Sequence, residues 1–282
     1  LSALQAAVAL DEALIGYFWL APGTLLVVLV DQERFQAERI VLSEEDNARL
    51  TEFVGFVRDL RSASGRAMDR AVSSLGALLL PDFVRAFVAP KRRVIISPHR
   101  SLHLFPFHAA SWDEGDFFAT RFAIRYVPNF TTLLLPRVPT GSGGLLAVGV
   151  GSFVNPDIPP LPNVEADVAW VADAHERHGT AVLPLQGARA TLAAFDALQV
   201  SGMLAKFRCL HLGTHGVSVF ETPGQPLEAQ LLLHDGTLDA MAIGGLRLAC
   251  ELVVPSACHS GQREIAARGG GDLPGGDSFG LP

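Results

Sequence analysis

The chain has 282 residues, of which 49% are hydrophobic and 18% charged, so it can build one or two globular domains around a sizeable core. Its 22 Lys and Arg against 29 Asp and Glu give a formal net charge of −7, which argues against a nucleic-acid backbone as the main partner. Three cysteines, a small and odd number, imply no disulfide framework and favour the reducing cytoplasm.

The first 90 residues are predicted to hold helices and a pair of strands. Residues 1–20 indicate a helix, and residues 24–30 and 37–42 indicate a hairpin-like strand pair. The uncharged stretch 13–30 approaches the length of a membrane span, but Pro22 and Gly23 divide it and no basic segment precedes it. We therefore expect neither a membrane span nor a signal peptide, and a soluble protein.

Three helices should follow. Ser43 and the acidic residues after it are typical of a helix start, and Leu50, Phe53 and Val57 recur at helical spacing. Residues 66–80 indicate a second helix, and Pro81 restarts a third. The basic run at 91–93 is interpreted as a solvated entry to a strand.

From residue 93 onward the pattern alternates between strands and helices. Asp235 and Gly236 form a hairpin turn signal. Such alternation predicts an α/β fold with a mostly parallel sheet covered by helices. The predicted strands are 93–97, 122–127, 145–150, 181–185, 207–212, 230–233 and 252–254, and the predicted helices are 163–177 and 191–198.

We divide the chain into an N-terminal helical and strand-pair part, residues 1–90, and a core, residues 91–282. The glycine-rich stretch 269–280 is predicted to be a flexible loop. Because a crossover connection and a closing strand need roughly a dozen or more residues, we expect the core to be truncated after the loop that carries Cys258.

Two apolar runs end abruptly in a reactive side chain beside small residues. One leads to His215 and Gly216, and the other leads through Ala257 to Cys258. Ligands of parallel sheets bind at the carboxyl ends of the strands, so we expect the imidazole and the thiol to lie together. A neutral imidazole takes the thiol proton, and the thiolate attacks a carbonyl. The pattern predicts a cysteine hydrolase.

The order and surroundings of these two residues refine the prediction. His215 precedes Cys258 at about the spacing of a caspase-type enzyme, and this order excludes a papain-like one. Small residues allow a substrate backbone to approach closely. The N–H groups of Gly216 and Cys258 are the candidate donors to an oxyanion.

These strings and several others resemble a CHAT domain, a bacterial branch of the caspase- and separase-like cysteine peptidases. The resemblance covers most of the chain from about residue 10 onward. His259 and Gln262 depart from the family's usual acidic or small residues at their positions. The matching segments are 94–107, 126–129, 161–166, 187–191, 231–236 and the two catalytic strings.

The resemblance implies a caspase-like fold in which His215 is the general base, Cys258 is the nucleophile, and Gly216 and Cys258 donate to the oxyanion. It also implies a cysteine endopeptidase with a protein substrate, controlled by an upstream helical-repeat sensor or an activating partner in bacterial defence or cell death. The alternative is a catalytically silent CHAT-like regulatory or interaction module. The P1 preference, the target, the trigger and the group that orients His215 stay open.

Other functional patterns are weaker. His99, His103 and His108 lie close in sequence, but 99 and 103 span a predicted turn instead of a helix, so we expect no metal. Gly149 and Gly151 follow a strand, but prolines exclude a helix directly behind them, which argues against a dinucleotide cofactor. No cofactor is expected. Three further residues, His211, Cys209 and Cys250, are interpreted as structural.

Overall fold

The computed structural model describes residues 1–58, 65–113, 115–136, 141–219 and 228–257. The chain divides into two compact units, Leu1–Pro136 and Arg137–Pro282. The division that we predicted at residue 90 stays a prediction.

The first unit is built on a five-stranded mixed sheet with the strand order β3-β2-β1-β4-β5. β1, β2 and β3 are antiparallel neighbours, whereas β4 and β5 run parallel to β1. Its strands are β1 (Glu12–Ala21), β2 (Thr24–Val30), β3 (Phe35–Val41), β4 (Arg93–Ser97) and β5 (Ala123–Tyr126), and its helices are α1 (Ser2–Ala7), α2 (Glu44–Arg58), α3 (Gly65–Leu79), α4 (Asp82–Val88) and α5 (Phe118–Arg121).

The helix predicted over residues 1–20 is wrong beyond its first turns, because α1 ends at Ala7 and β1 begins at Glu12. The first six residues of β1 are all buried. A short run that is apolar on both faces has no period that distinguishes a strand from a buried helix. Pro22 and Gly23 form the two-residue turn into β2, and Gly23 takes a φ of +74° that suits glycine.

The other predicted helices and strands of this unit are confirmed. The basic run 91–93 is solvated at Arg92 and Arg93, but the Lys91 side chain is only 11% exposed and its ammonium lies 3.0 Å from the Asp31 carboxylate.

Ser43 caps α2, since its Oγ accepts from the N–H of Asp46 at 3.1 Å while the Asp46 carboxylate accepts from the N–H of Ser43 at 3.1 Å. The core on the helical side of the sheet is aromatic and aliphatic. It includes Tyr17, Phe53, Leu75, Leu79, Phe105, Phe107 and Phe118.

The second unit contains a four-stranded parallel sheet with the order β12-β8-β6-β7 and a three-stranded antiparallel sheet with the order β11-β10-β9. Its strands are β6 (Gly143–Gly149), β7 (Val182–Gln186), β8 (Phe207–Gly213), β9 (Gly216–Val219), β10 (Glu228–Leu232), β11 (Thr237–Asp239) and β12 (Leu252–Ser256), and its helices are α6 (Val164–Arg177), α7 (Leu192–Val200) and α8 (Ala240–Gly244).

Helices cover both faces of the parallel sheet. Alternate residues of β6 point to opposite sides: Leu145 and Ala147 pack against Val168 of α6, whereas Leu146 and Val148 belong to a cluster that contains Phe195 of α7. The α/β architecture predicted for this part of the chain is confirmed, and it is consistent with a caspase-like fold.

No single helix in the described ranges is long and apolar enough to cross a membrane. Gly65–Leu79 and Asp82–Val88 reach the required length and hydropathy only when taken together, across a bend of 78°.

Candidate active site

The two strands that lead to the predicted catalytic residues are parallel neighbours. β8 pairs with β12 in a register that places Gly213 beside Ser256. The pairing continues one step further, because the N–H of Thr214 donates to the carbonyl of Ser256 at 3.3 Å. Both strands therefore end at the same edge of the sheet.

His215 follows directly after this edge, and Ala257 is the last described residue on the neighbouring strand. Cys258 lies outside the described residues, so the distance between its sulfur and the imidazole lies outside them too. What the structure does bring together is the pair of strand ends from which the two residues continue.

The backbone of His215 is fixed between the parallel sheet and the antiparallel one. Thr214 is only 3% exposed. Its hydroxyl donates a hydrogen bond to the carbonyl of Leu232. The N–H of Leu232 in turn donates to the carbonyl of His215 at 3.0 Å. These bonds hold His215 at the point where the chain leaves β8 and enters β9.

The imidazole of His215 is held by a main-chain carbonyl and an aromatic ring. Its Nε2 lies 2.8 Å from the carbonyl oxygen of Pro159, and its ring lies 5.4 Å from that of Phe153, with 34° between the planes. A carbonyl oxygen only accepts hydrogen bonds, so the nitrogen that faces it carries the proton. In the neutral ring, Nδ1 is then the basic atom.

Pro159 belongs to the loop of residues 150–163 between β6 and α6, here called the β6–α6 loop. The N–H of Val150 donates to the carbonyl of Gly213 at 2.9 Å, and the N–H of Leu161 donates to the carbonyl of Gly151 at 2.9 Å. The loop therefore starts beside the end of β8, and the bond between Leu161 and Gly151 brings its two ends together. Residues between these ends contact the imidazole of His215.

Gly216 is the first residue of β9, the outer strand of the antiparallel sheet, and it lies opposite Leu231. Hydrogen-bonded and non-hydrogen-bonded pairs alternate along such a ladder. Since Leu232 donates to His215 in the preceding pair, Gly216 occupies a non-hydrogen-bonded position. Its N–H therefore points away from β10.

The two other cysteines and His211 lie before the carboxyl ends of β8 and β12, in different surroundings. Cys209 packs against the α6 side of the sheet and Cys250 against the opposite side. Burial, with a smaller contribution from Cys209, raises the pKa of the Cys250 thiol, which disfavours its thiolate. The pKa of His211 is lowered mainly by burial and to a smaller extent by the neighbouring His175.

His99 and His108, which lie close to His103 in the sequence, make contacts that do not involve a metal. His99 Nδ1 accepts from the N–H of Trp19 at 3.0 Å, and His108 Nδ1 lies 3.2 Å from the hydroxyl of Tyr126. Among the described residues, no group of three or more His, Cys, Asp or Glu is arranged to hold a metal ion.

Pro159 and Phe153 are the site residues that the sequence did not reveal. The prolines of this loop argued only against a nucleotide-binding turn, because any residue type offers a main-chain carbonyl. The carbonyl that holds the imidazole thus leaves no signature in the sequence.

The sequence model of the CHAT domain matches residues 69–275, well over half of the chain, and the match contains both His215 and Cys258. No curated protein sequence matches the chain.

Proposed function

We propose that this chain, which belongs to the CHAT domain family, is a cysteine endopeptidase with His215 and Cys258 as its catalytic dyad. The observation that carries the proposal is the pairing of β8 with β12, whose ends lie side by side at Gly213 and Ser256. In the sequence, His215 follows Gly213 by two residues, and Cys258 follows Ser256 by two residues.

In the proposed mechanism, Nδ1 of His215 takes the proton of the Cys258 thiol. The thiolate attacks the carbonyl carbon of the scissile peptide, and the negative charge that develops on the oxygen is met by the N–H groups of Gly216 and Cys258. The imidazolium returns the proton to the leaving amine. Water, activated by the same imidazole, then hydrolyses the thioester and releases the second product.

The carbonyl of Pro159 is proposed to orient this base. Its contact with Nε2 keeps Nδ1 unprotonated in the resting ring and stabilises the imidazolium when Nδ1 takes the proton. A group with this role is commonly a carboxylate in other hydrolases. A well-placed general base contributes about 10²–10⁴-fold to the rate.

The outward N–H of Gly216 supports its proposed role in the oxyanion site. A donor of this kind contributes about 10²–10³-fold to kcat. The β9 backbone that carries it is tied to β10 immediately before Gly216, so the donor is held in place before substrate arrives.

We further propose a protein target and control by a sensor domain or an activating partner, in a bacterial defence or cell-death pathway. Family membership is the support for this part of the proposal. The alternative is a CHAT-like module that keeps the fold and has no catalytic activity.

The test is labelling with iodoacetamide followed by peptide mapping, together with turnover of a library of fluorogenic peptides. We expect the parent chain to be labelled first at Cys258. Cys258→Ala should lose that label and at least about 10³-fold in turnover. Cys209→Ala and Cys250→Ala are the matched controls. Both should keep the label at Cys258 and the peptide turnover of the parent chain.

Equal labelling of the parent and Cys258→Ala would exclude Cys258 as the nucleophile. Absence of turnover in every preparation, with Cys258 no more reactive than Cys209, would favour the silent module.

A further inference from the structure

The turn between β10 and β11 is tied to the β6–α6 loop through His234, which uses both its side chain and its main chain. Its Nδ1 lies 2.8 Å from the carbonyl oxygen of Ser152, and its own carbonyl accepts from the N–H of Val154 at 2.8 Å. The two bonds fall on either side of Phe153, whose ring packs on the imidazole of His215.

The same turn is anchored on a third segment. The N–H of His234 donates to the carbonyl of Ala190 at 2.9 Å, and the carboxylate of Asp235 accepts from the N–H of Leu192, the first residue of α7, at 2.9 Å. A Cβ on Gly236 would lie 2.4 Å from Leu192 Cδ1, so the turn approaches α7 closely. His234 is thus fixed by the segment that leads into α7 as well as by the β6–α6 loop.

We propose that His234 is a positioning residue that sets Phe153, and through it the imidazole of His215, for catalysis. The inference rests on the proposed function of His215 as general base. It assigns a role to the segment 231–236, and it makes the β10–β11 turn a support of the active site.

The chemistry requires one particular proton position on His234. The carbonyl of Ser152 only accepts, so Nδ1 must carry the proton. The N–H of Val154 needs only the main-chain carbonyl of His234, which any residue supplies. Substitution of the ring therefore removes one of the two bonds beside Phe153 and leaves the other.

Two variants separate the donor from the ring. His234→Phe keeps a ring of similar size and removes the donor, whereas His234→Asn offers an amide N–H near the place of Nδ1. We expect His234→Phe to lower kcat by about 10²-fold, as a small misplacement of a catalytic group does, with little change in KM. His234→Asn should restore kcat to within a few-fold of the parent.

Ser43→Ala is the control for a purely structural effect. The Ser43 hydroxyl accepts from the N–H of Asp46 at 3.1 Å and caps α2 in the first unit. Its loss should lower the melting temperature without changing kcat. An equal loss of kcat in Ser43→Ala and His234→Phe would overturn the positioning role.

Imidazole proton–nitrogen correlation spectra test the inference without any turnover. We expect neutral His234 to carry its proton on Nδ1 in the parent chain, and the ring protons of Phe153 and His215 to show a nuclear Overhauser effect that weakens in His234→Phe and returns in His234→Asn. Neutral His234 protonated on Nε2 would overturn the inference, even if no variant folds.

The two proposals fail separately. If His234→Phe releases the rings but no preparation cleaves peptides, the positioning contact stands and the peptidase does not. If the chain cleaves peptides and His234→Phe changes neither kcat nor the ring contact, the peptidase stands and the role of His234 does not.

Discussion

Asp31 shows how a single buried charge organises the turn between β2 and β3. Its carboxylate is hydrogen-bonded by the Arg34 guanidinium at 2.7 and 2.9 Å and lies 3.0 Å from the ammonium of Lys91. Burial alone raises the pKa of this carboxyl, but the bonds from Arg34, the N–H of Glu33 and Lys91 outweigh burial and hold the pKa well below its usual range.

We predict that Asp31→Asn costs about 3 kcal/mol of unfolding free energy at pH 7, because it leaves the partly buried Lys91 ammonium without its carboxylate. A carboxyl with a lowered folded-state pKa stabilises the fold above its unfolded value of about 3.9, and this contribution is lost as the pH falls towards the folded-state pKa. Urea unfolding of both chains should therefore show a difference that shrinks below about pH 4.

Asp69→Asn, at an exposed position of α3, is the matched control and should change stability by less than about 0.5 kcal/mol. A difference between the parent and Asp31→Asn that stays constant down to pH 3 would refute the ion-pair account.

At the scale of elements, β6 depends on glycine where it enters the sheet. A Cβ on Gly144 would lie 1.6 Å from the carbonyl oxygen of Ala181, the same oxygen that accepts from the N–H of Leu145 at 2.9 Å. Since the neighbour is backbone and not a flexible side chain, it moves only if the pairing of β6 with β7 is distorted.

We predict that Gly144→Ala destabilises the chain by about 2–4 kcal/mol, from overpacking and a strained ladder bond. Gly244→Ala, at the end of α8 where a new Cβ meets nothing within 4 Å, should be neutral or slightly stabilising. Thermal unfolding of the two variants tests this prediction. Equal melting temperatures would contradict the steric role of Gly144.

The elements were predictable wherever the sequence carries a period or a cap. α6, whose apolar positions recur at helical spacing, and α7, capped by the Thr191 hydroxyl, lie where the pattern placed them. β1 was not predictable, because its continuous apolar run is buried on both faces and a buried helix has the same pattern.

At the scale of the whole molecule, alternation predicted an α/β fold but not how the strands divide among sheets. β4 pairs with β1, about 80 residues earlier in the chain, and not with β6. Which strands pair depends on packing against cross-strand neighbours, and the local period of the sequence does not show that packing. The order of short motifs was more informative, since it indicated the family that matches residues 69–275.

The candidate site was predictable to the same degree. The strings that end in His215 and Cys258 indicated neighbouring strands, and β8 and β12 are neighbours. The supports of His215 were not predictable, because Pro159 contributes a main-chain carbonyl and Phe153 is placed by a loop.

The proposed mechanism requires the imidazole of His215 and the sulfur of Cys258 to meet at the shared edge of β8 and β12. The most direct measurement is the rate of Cys258 alkylation by iodoacetamide between pH 5 and pH 10, in the parent chain and in His215→Ala. An imidazolium beside the sulfur favours the thiolate, so the parent should reach half its plateau rate well below pH 8.5, about the value for an isolated cysteine. His215→Ala should move that midpoint up to about pH 8.5. Profiles with the same midpoint in both chains would show that the two groups do not interact and would contradict the account.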